Sequence, residues 1–147
     1  MALRHPYQAY KTLDVETASQ DKLILMLYNA AVRRTEEAVE LVPSGNVEKI
    51  HKNLVNAQDI FTELRRALNA SAGEIADNLD RIYDYIQHLL MQGNIRKEIE
   101  PLEEALVYMK QLRDAWRDLF DKLPNSEIPK TGRQEAMRGA AAINIKG

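Results

Sequence analysis

A ten-residue apolar stretch constrains the fold of this chain more than any other feature. Residues 23–32 read Leu-Ile-Leu-Met-Leu-Tyr-Asn-Ala-Ala-Val, in which nine residues are apolar or aromatic and none is charged. A helix that rests on one neighbour shows an apolar stripe and a polar far side. Three uncharged turns therefore predict a helix covered by at least two neighbours. The stretch is too short for a membrane span, which needs about 20 apolar residues.

The residues around this stretch distinguish a helix from a buried strand. Ser19 precedes it as an N-cap, and Asp21 lies in the first turn, where a negative charge is favourable. Charged residues follow in helical phase at Arg33, Arg34, Glu36, Glu37 and Glu40. The sequence predicts a helix from about Ser19 to about Val42, central to a bundle.

Three later segments carry apolar residues at alternating spacings of three and four, which is the heptad pattern of packed helices. Turn-forming residues at 43–46 separate the first of them from the central helix, with Asn46 as its cap. Gly93-Asn94 is expected to end the second segment, and the third runs from about Ile95, or from Glu100-Pro101, to Leu123. The three apolar seams are Val47, Ile50, Leu54, Ala57, Phe61, Leu64 and Leu68; then Ile75, Leu79, Ile82, Ile86 and Leu89; then Leu102, Ala105, Met109, Leu112, Trp116, Leu119 and Leu123.

Four helices of similar length with short connections predict an all-α fold, an antiparallel four-helix bundle with up-down-up-down topology over residues 19–123. Residues 1–18 form an N-terminal arm that we expect to dock on the bundle. Residues 124–147 form a C-terminal tail with a charge of +2. A short fifth helix over 134–142, docked through Met137, Ile143 and Ile145, is one interpretation of the tail; disorder in the free protein is the other.

Composition limits the classes of function. The chain has 147 residues, a net charge of −2 and no cysteine. This length fits one domain, and the charge gives no reason to expect a nucleic-acid partner. The lack of cysteine excludes disulfides and thiolate chemistry. The first ten residues contain no apolar signal region, so we expect a cytoplasmic protein without stable membrane insertion.

Patterns typical of enzymes are absent from the sequence. It contains no glycine-rich phosphate loop, nucleophile elbow or candidate triad, so we predict no enzymatic activity and no cofactor. One Glu-x-x-His spacing, Glu48 to His51, resembles half of a di-iron motif, but it has no second copy and predicts no metal site. His51 and His88 leave a phosphotransfer or other adaptor bundle as the alternative function.

An excess of apolar side chains is the more informative feature. Several of them lie outside the simplest four-helix seam, namely Tyr7, Tyr10, Val55, Ile60, Tyr83, Tyr85 and Leu90. Each one alone is either an ordinary surface hydrophobic residue or part of a wider core. Together they predict a surface for an amphipathic partner, with the N-terminal arm as an internal occupant.

Short motifs spread over residues 6–120 carry a resemblance to a known family. They are Pro6-Tyr7-Gln8-Ala9-Tyr10; Thr17-Ala18-Ser19 leading into Leu25-Met26-Leu27-Tyr28-Asn29; Ala57-Gln58-Asp59-Ile60; Ile82-Tyr83-Asp84-Tyr85-Ile86; and Leu112-Arg113-Asp114-Ala115-Trp116. These motifs occur in the order typical of the FliS family, the flagellin-specific export chaperones of bacteria. The chain therefore resembles this family. It departs from many members at Gln20, where proline is common, and at Ala30, where glycine is common.

The resemblance implies a cytoplasmic helical bundle that binds the disordered C-terminal region of flagellin. Such a chaperone prevents premature polymerisation and assists delivery to the flagellar type III export apparatus, with an export gate component as a second partner once the client is bound. It also implies that an arm bearing Tyr7 and Tyr10 covers the flagellin groove and is displaced by the client. The flagellin-binding residues expected from the apolar excess and the arm are Tyr7, Tyr10, Leu13, Val55, Ile60, Tyr83, Tyr85 and Leu90.

Overall fold

The computed structural model describes residues 20–68 and 73–122, and within them the protein is built from four α-helices. They are α1 (Gln20–Leu41), α2 (Val47–Arg66), α3 (Glu74–Arg96) and α4 (Ile99–Lys122), with a short 3₁₀ turn at Val42–Ser44. Each helix packs on two neighbours: α1 and α3 both contact α2 and α4. The predicted all-α four-helix bundle is confirmed.

The apolar stretch of α1 lies at the centre of the bundle. Leu23, Leu27, Tyr28, Ala31 and Val32 are all buried. Their helix packs most extensively on α2 and next on α4. The prediction that at least two neighbours cover this stretch is therefore confirmed. Neighbours can cover it on several sides because it contains no charged residue that must face water.

The turn between α1 and α2 follows the local sequence chemistry. Gly45 adopts a left-handed conformation with φ of 72°, which costs glycine little because it has no Cβ. The side chain of Asn46 accepts a hydrogen bond of 3.2 Å from the backbone N–H of Lys49. Asn46 is thus the N-cap of α2, as predicted.

The junction between α3 and α4 corrects one prediction. Gly93-Asn94 does not end α3, which continues to Arg96 and closes with Lys97 in the left-handed conformation, φ 53°. Gly93 is needed for close packing instead: a Cβ at this position would lie 2.7 Å from Cγ of Leu102 on α4. The helix α4 then begins at Ile99 with Pro101 in its first turn, where proline is tolerated.

The heptad seams are buried except near their ends. Val47, in the first turn of α2, is 57% exposed, so its assignment to the core was wrong. Leu68, Ile75 and Leu119 are partly buried and pack against the core. Trp116 is buried, in agreement with its seam position.

Some expectations concern residues outside the described ranges. They include the arm (1–18), the tail (124–147) and the end of the last seam at Leu123. Within 20–68 and 73–122, none of the helices is both long enough and apolar enough to cross a membrane.

Candidate functional site

Two hydrogen-bonded cross-links fix the register of the antiparallel pair α2 and α3. Near one end of the bundle, Nδ2 of Asn94 and Nδ1 of His51 are 2.9 Å apart. Nearer the middle, the side-chain amide of Gln87 donates to the backbone carbonyl of Gln58 and to Oγ1 of Thr62, both at 2.9 Å. These bonds therefore fix the position of α3 along its axis relative to α2.

A third cross-link surrounds Arg65 of α2. Its guanidinium donates to both carboxylate oxygens of Asp80, at 2.7 and 3.1 Å, to Asp84 at 3.1 Å and to Gln87 at 2.9 Å. The hydrogen bond to Asp80 is the main cause of a raised pKa for Arg65, so its positive charge is held firmly. This arginine neutralises part of the acidic first half of α3.

Exposed apolar side chains lie beside these cross-links and define what we call the α2–α3 face: Val47, Val55, Met91 and Ile95. Val55 and Met91 lie at the same level, because each falls between the His51–Asn94 and Gln58–Gln87 bonds on its own helix. Met91 is 44% exposed and Ile95, one turn further along α3, is 74% exposed. Apolar surface of this kind marks an interaction site when it is contiguous.

A shallow groove of about 650 Å³ joins this face along the outer side of α3. Its lining is Gln58, Arg81, Asp84, Tyr85, Gln87, His88 and Met91. Charged and amide groups lie along it, and Met91 contributes an apolar side chain that is 44% exposed. The groove thus suits an amphipathic segment better than a small molecule, which prefers an enclosed apolar cavity.

Tyr85 closes the side of the groove that faces α4. Its hydroxyl donates a hydrogen bond of 2.7 Å to the Glu104 carboxylate, and its ring meets that of Tyr108 edge-on at 5.8 Å. This hydrogen bond, with burial as a smaller cause, raises the pKa of Tyr85 to about 12. The ring is consequently fixed in place, with only part of its surface available to a partner.

An aromatic cluster lies in the core beneath this surface. Tyr28, Phe61 and Tyr83 contact one another with ring centroids 5.7 to 6.4 Å apart. The hydroxyls of the two tyrosines are 2.5 Å apart, and the indole of Trp116 lies beside both. Burial raises the pKa of Tyr83 to about 12 and that of Tyr28 well above 10.0, so both remain neutral.

The structure separates the predicted site residues into three groups. Val55 is 37% exposed on the α2–α3 face, and Tyr85 is half-buried at the groove. Ile60, Tyr83 and Leu90 are buried, so the core is wider than the simplest four-helix seam. Tyr7, Tyr10 and Leu13 lie outside the described residues.

The burial of these three side chains has a simple geometric cause. A heptad seam describes contact along one line, whereas each helix of this bundle touches two neighbours and buries a wider stripe. Apolar positions beside the seam are therefore covered as well. Any contribution of Ile60, Tyr83 or Leu90 to partner binding stays a prediction.

Met91, Ile95 and Val47 were missing from the predicted site. A sequence signal identifies Met91 and Ile95. Together with Asp84 and His88 they are spaced at four, three and four residues, on the side of α3 away from its seam. Such a row is one face of a helix. The exposure of Val47 follows from the bundle geometry and has no such signal.

The histidines and carboxylates form no metal centre in the part of the chain that is described. No group of three or more potential ligands occurs there. His51 is engaged with Asn94, and Glu48 is exposed on the first turn of α2. His88 lines the groove.

Comparison with known proteins identifies the family. Residues 3–123 match the family model described as flagellar protein FliS. A protein of Bacillus subtilis (strain 168) named flagellar secretion chaperone FliS is 35% identical over 117 residues, covering 80% of this chain and 87% of the relative. Relatives with the same name in Vibrio cholerae and Salmonella typhimurium are 29% and 31% identical; they cover 88% and 78% of this chain, and 99% and 90% of their own lengths. The resemblance noted in the sequence is thus confirmed: the chain belongs to the FliS family of flagellar proteins, whose named relatives are secretion chaperones.

Proposed function

We propose that this protein is an export chaperone that binds the disordered C-terminal region of flagellin. In this account it prevents premature polymerisation in the cytoplasm and assists delivery to the flagellar type III export apparatus, where an export gate component contacts the loaded chaperone. Family membership supports the chaperone role. The structural observation that carries the proposal is the exposed apolar row of the α2–α3 face beside an open groove.

The shape of this surface suits a client that folds as it binds. A disordered segment must be ordered on binding, which costs about 2–5 kcal/mol, and it recovers this by burying about 1,000–3,000 Å². A row of apolar side chains spaced along a helix accepts short amphipathic helices over such an area. The four partly exposed side chains of the α2–α3 face supply only part of such an area, so the client also extends over neighbouring parts of the bundle.

The N-terminal arm is the proposed competitor for part of the client surface. Tyr7 and Tyr10 are three residues apart, so in a helical turn both rings lie on one side. An arm that occupies the surface most of the time raises the client's apparent dissociation constant by the reciprocal of the open fraction. It also covers apolar surface when no client is bound, which limits self-association.

Size-exclusion chromatography with a flagellin C-terminal peptide tests this function. We expect the peptide to co-elute with the protein, and a Met91→Glu variant to lose most of the complex because it places a charge in the apolar row. Val107→Glu is the matched control: Val107 is 52% exposed on α4, outside the α2–α3 face. Failure of the parent protein to retain the peptide contradicts the proposal.

The control also addresses the alternative of a bundle that does not bind flagellin. Equal retention by the Met91→Glu and Val107→Glu variants would remove the α2–α3 face from the client site. Phosphate transfer to His88 from a cognate kinase, together with no retention of the peptide, would support the phosphotransfer alternative.

A further inference from the structure

The charge on the outer side of α3 is uneven along its length. Residues 74–84 contain four carboxylates and one arginine, a net charge of −3. Arg65 of α2 pairs with two of these carboxylates and leaves the region at −2. The second half of the same side carries the exposed apolar residues Met91 and Ile95. The surface is thus acidic at the start of α3 and apolar towards its end.

The C-terminal tail has the complementary order. Three of its four basic residues, Lys130, Arg133 and Arg138, come first; Ile143 and Ile145 follow near the end, beside the fourth, Lys146. The tail carries +2 overall. It also lies outside residues 3–123, the part of the chain that matches the family model.

The position where the tail leaves the bundle matches this order. Since α3 and α4 are antiparallel neighbours, Lys122 at the end of α4 lies at the same end of the bundle as Glu74 at the start of α3. The distance along α3 from Glu74 to Ile95 is about 32 Å at 1.5 Å per residue. Residues 123–145 span up to about 75 Å when extended, so the tail reaches the whole of this surface.

We propose that the C-terminal tail binds along the outer side of α3, from the acidic first half to Met91 and Ile95. Its basic residues lie over the carboxylates of residues 74–84, and its terminal isoleucines cover the apolar end. Competition with a flagellin client for this surface rests on the proposed function; the docking of the tail does not.

Two other occupants fit the surface less well. The N-terminal arm has no net charge, since Arg4 and Lys11 balance Asp14 and Glu16, and so lacks the complementarity to the acidic half. A second copy of the chain would bring two acidic surfaces together, which is unfavourable at low ionic strength.

Paramagnetic relaxation in the full-length protein tests the docking. Because the chain has no cysteine, Arg96→Cys and Asn29→Cys each accept a single nitroxide label; Arg96 is exposed beside Ile95, which stays in place. Asn29 is the matched control because it is exposed on α1 and not on α3. It follows Tyr28, whose hydroxyl meets Tyr83 of α3 in the core. We expect the label at 96 to broaden the backbone amides of Ile143 and Ile145 far more than the label at 29 does.

Charge reversal tests the cause of the docking. Arg133→Glu combined with Arg138→Glu should lower the ratio of docked to free tail by roughly 2- to 30-fold. This range corresponds to the loss of two exposed ion pairs. The broadening should also fall as salt is raised from about 0.1 M to 1 M, where the Debye length shrinks from about 10 to 3 Å.

Several results would overturn the proposal. Equal broadening of the tail by both labels would show that it has no preferred position. Broadening of residues 1–18 instead of the tail would place the arm on α3, and broadening seen only between separate labelled chains would place a second copy there. Docking that survives charge reversal and high salt would contradict the electrostatic match.

Discussion

The hydroxyls of Tyr28 and Tyr83 meet 2.5 Å apart in the core, on helices α1 and α3, which are diagonal in the bundle. Both side chains are almost fully buried, so neither hydroxyl has water as an alternative partner. The pair and the neighbouring indole of Trp116 therefore form a polar contact through the centre of an otherwise apolar core. A contact of this kind favours one arrangement of the four helices over others.

Removing both hydroxyls of this pair should cost less than the sum of the costs of removing each one. Tyr28→Phe or Tyr83→Phe leaves a buried hydroxyl with an incomplete hydrogen bond, and we expect each to lower the free energy of unfolding by about 1–3 kcal/mol. The double variant should lose less than the sum of the two. Denaturant unfolding of the four proteins measures this coupling; strictly additive losses would show that the two hydroxyls do not interact.

Gly93→Ala should destabilise the protein although alanine is the better helix former by about 1 kcal/mol. The new methyl group would lie 2.7 Å from Cγ of Leu102, so α3 and α4 must separate or Leu102 must change rotamer. Overpacking of this kind costs about 1–3 kcal/mol. Adding Leu102→Ala to the variant should reduce the penalty of the alanine at 93, which is measurable by thermal or denaturant unfolding. A single variant that is more stable than the parent would contradict the close packing.

Alkaline pH should destabilise the bundle between about pH 10 and pH 12. The folded-state pKa values of Tyr83 and Tyr85 are raised from 10.0 to about 12, so between these values the unfolded chain releases protons that the folded protein retains. The stabilisation is complete below pH 10 and is lost as pH rises through 12.

Denaturant midpoints measured across this range provide the test. Replacing Tyr85 by Phe removes one of the responsible groups, so the decline should be shallower in that variant. The same decline in both proteins would show that Tyr85 titrates normally in the folded state.

Much of the fold followed from periodic spacing, because a heptad repeat and a capped turn are determined by neighbouring residues. The cap at Asn46 and the burial of the α1 stretch are of this kind. The end of α3 could not be predicted in this way: Gly93 looks like a helix terminator, but its role depends on Leu102, nine residues later on another helix.

The candidate site was harder to predict for the same reason. Tyr83 and Ile60 lie beside the seams of their helices, so in the sequence they look like surplus apolar residues. They are buried because each helix touches two others. Ile95 looks like the start of the next helix in the sequence, yet it lies in the last turn of α3 and is exposed. Exposure depends on the arrangement of all four helices and not on local spacing.

Isothermal titration with a flagellin C-terminal segment tests the central claim most directly. The full-length protein should bind the segment with a negative heat-capacity change, as expected when apolar surface is buried. Removing residues 1–16 should tighten binding by the reciprocal of the open fraction, because Tyr7 and Tyr10 no longer compete. Weaker binding after truncation would make the arm a client contact and contradict the proposed competition. No binding by either protein would contradict the chaperone function proposed for this chain.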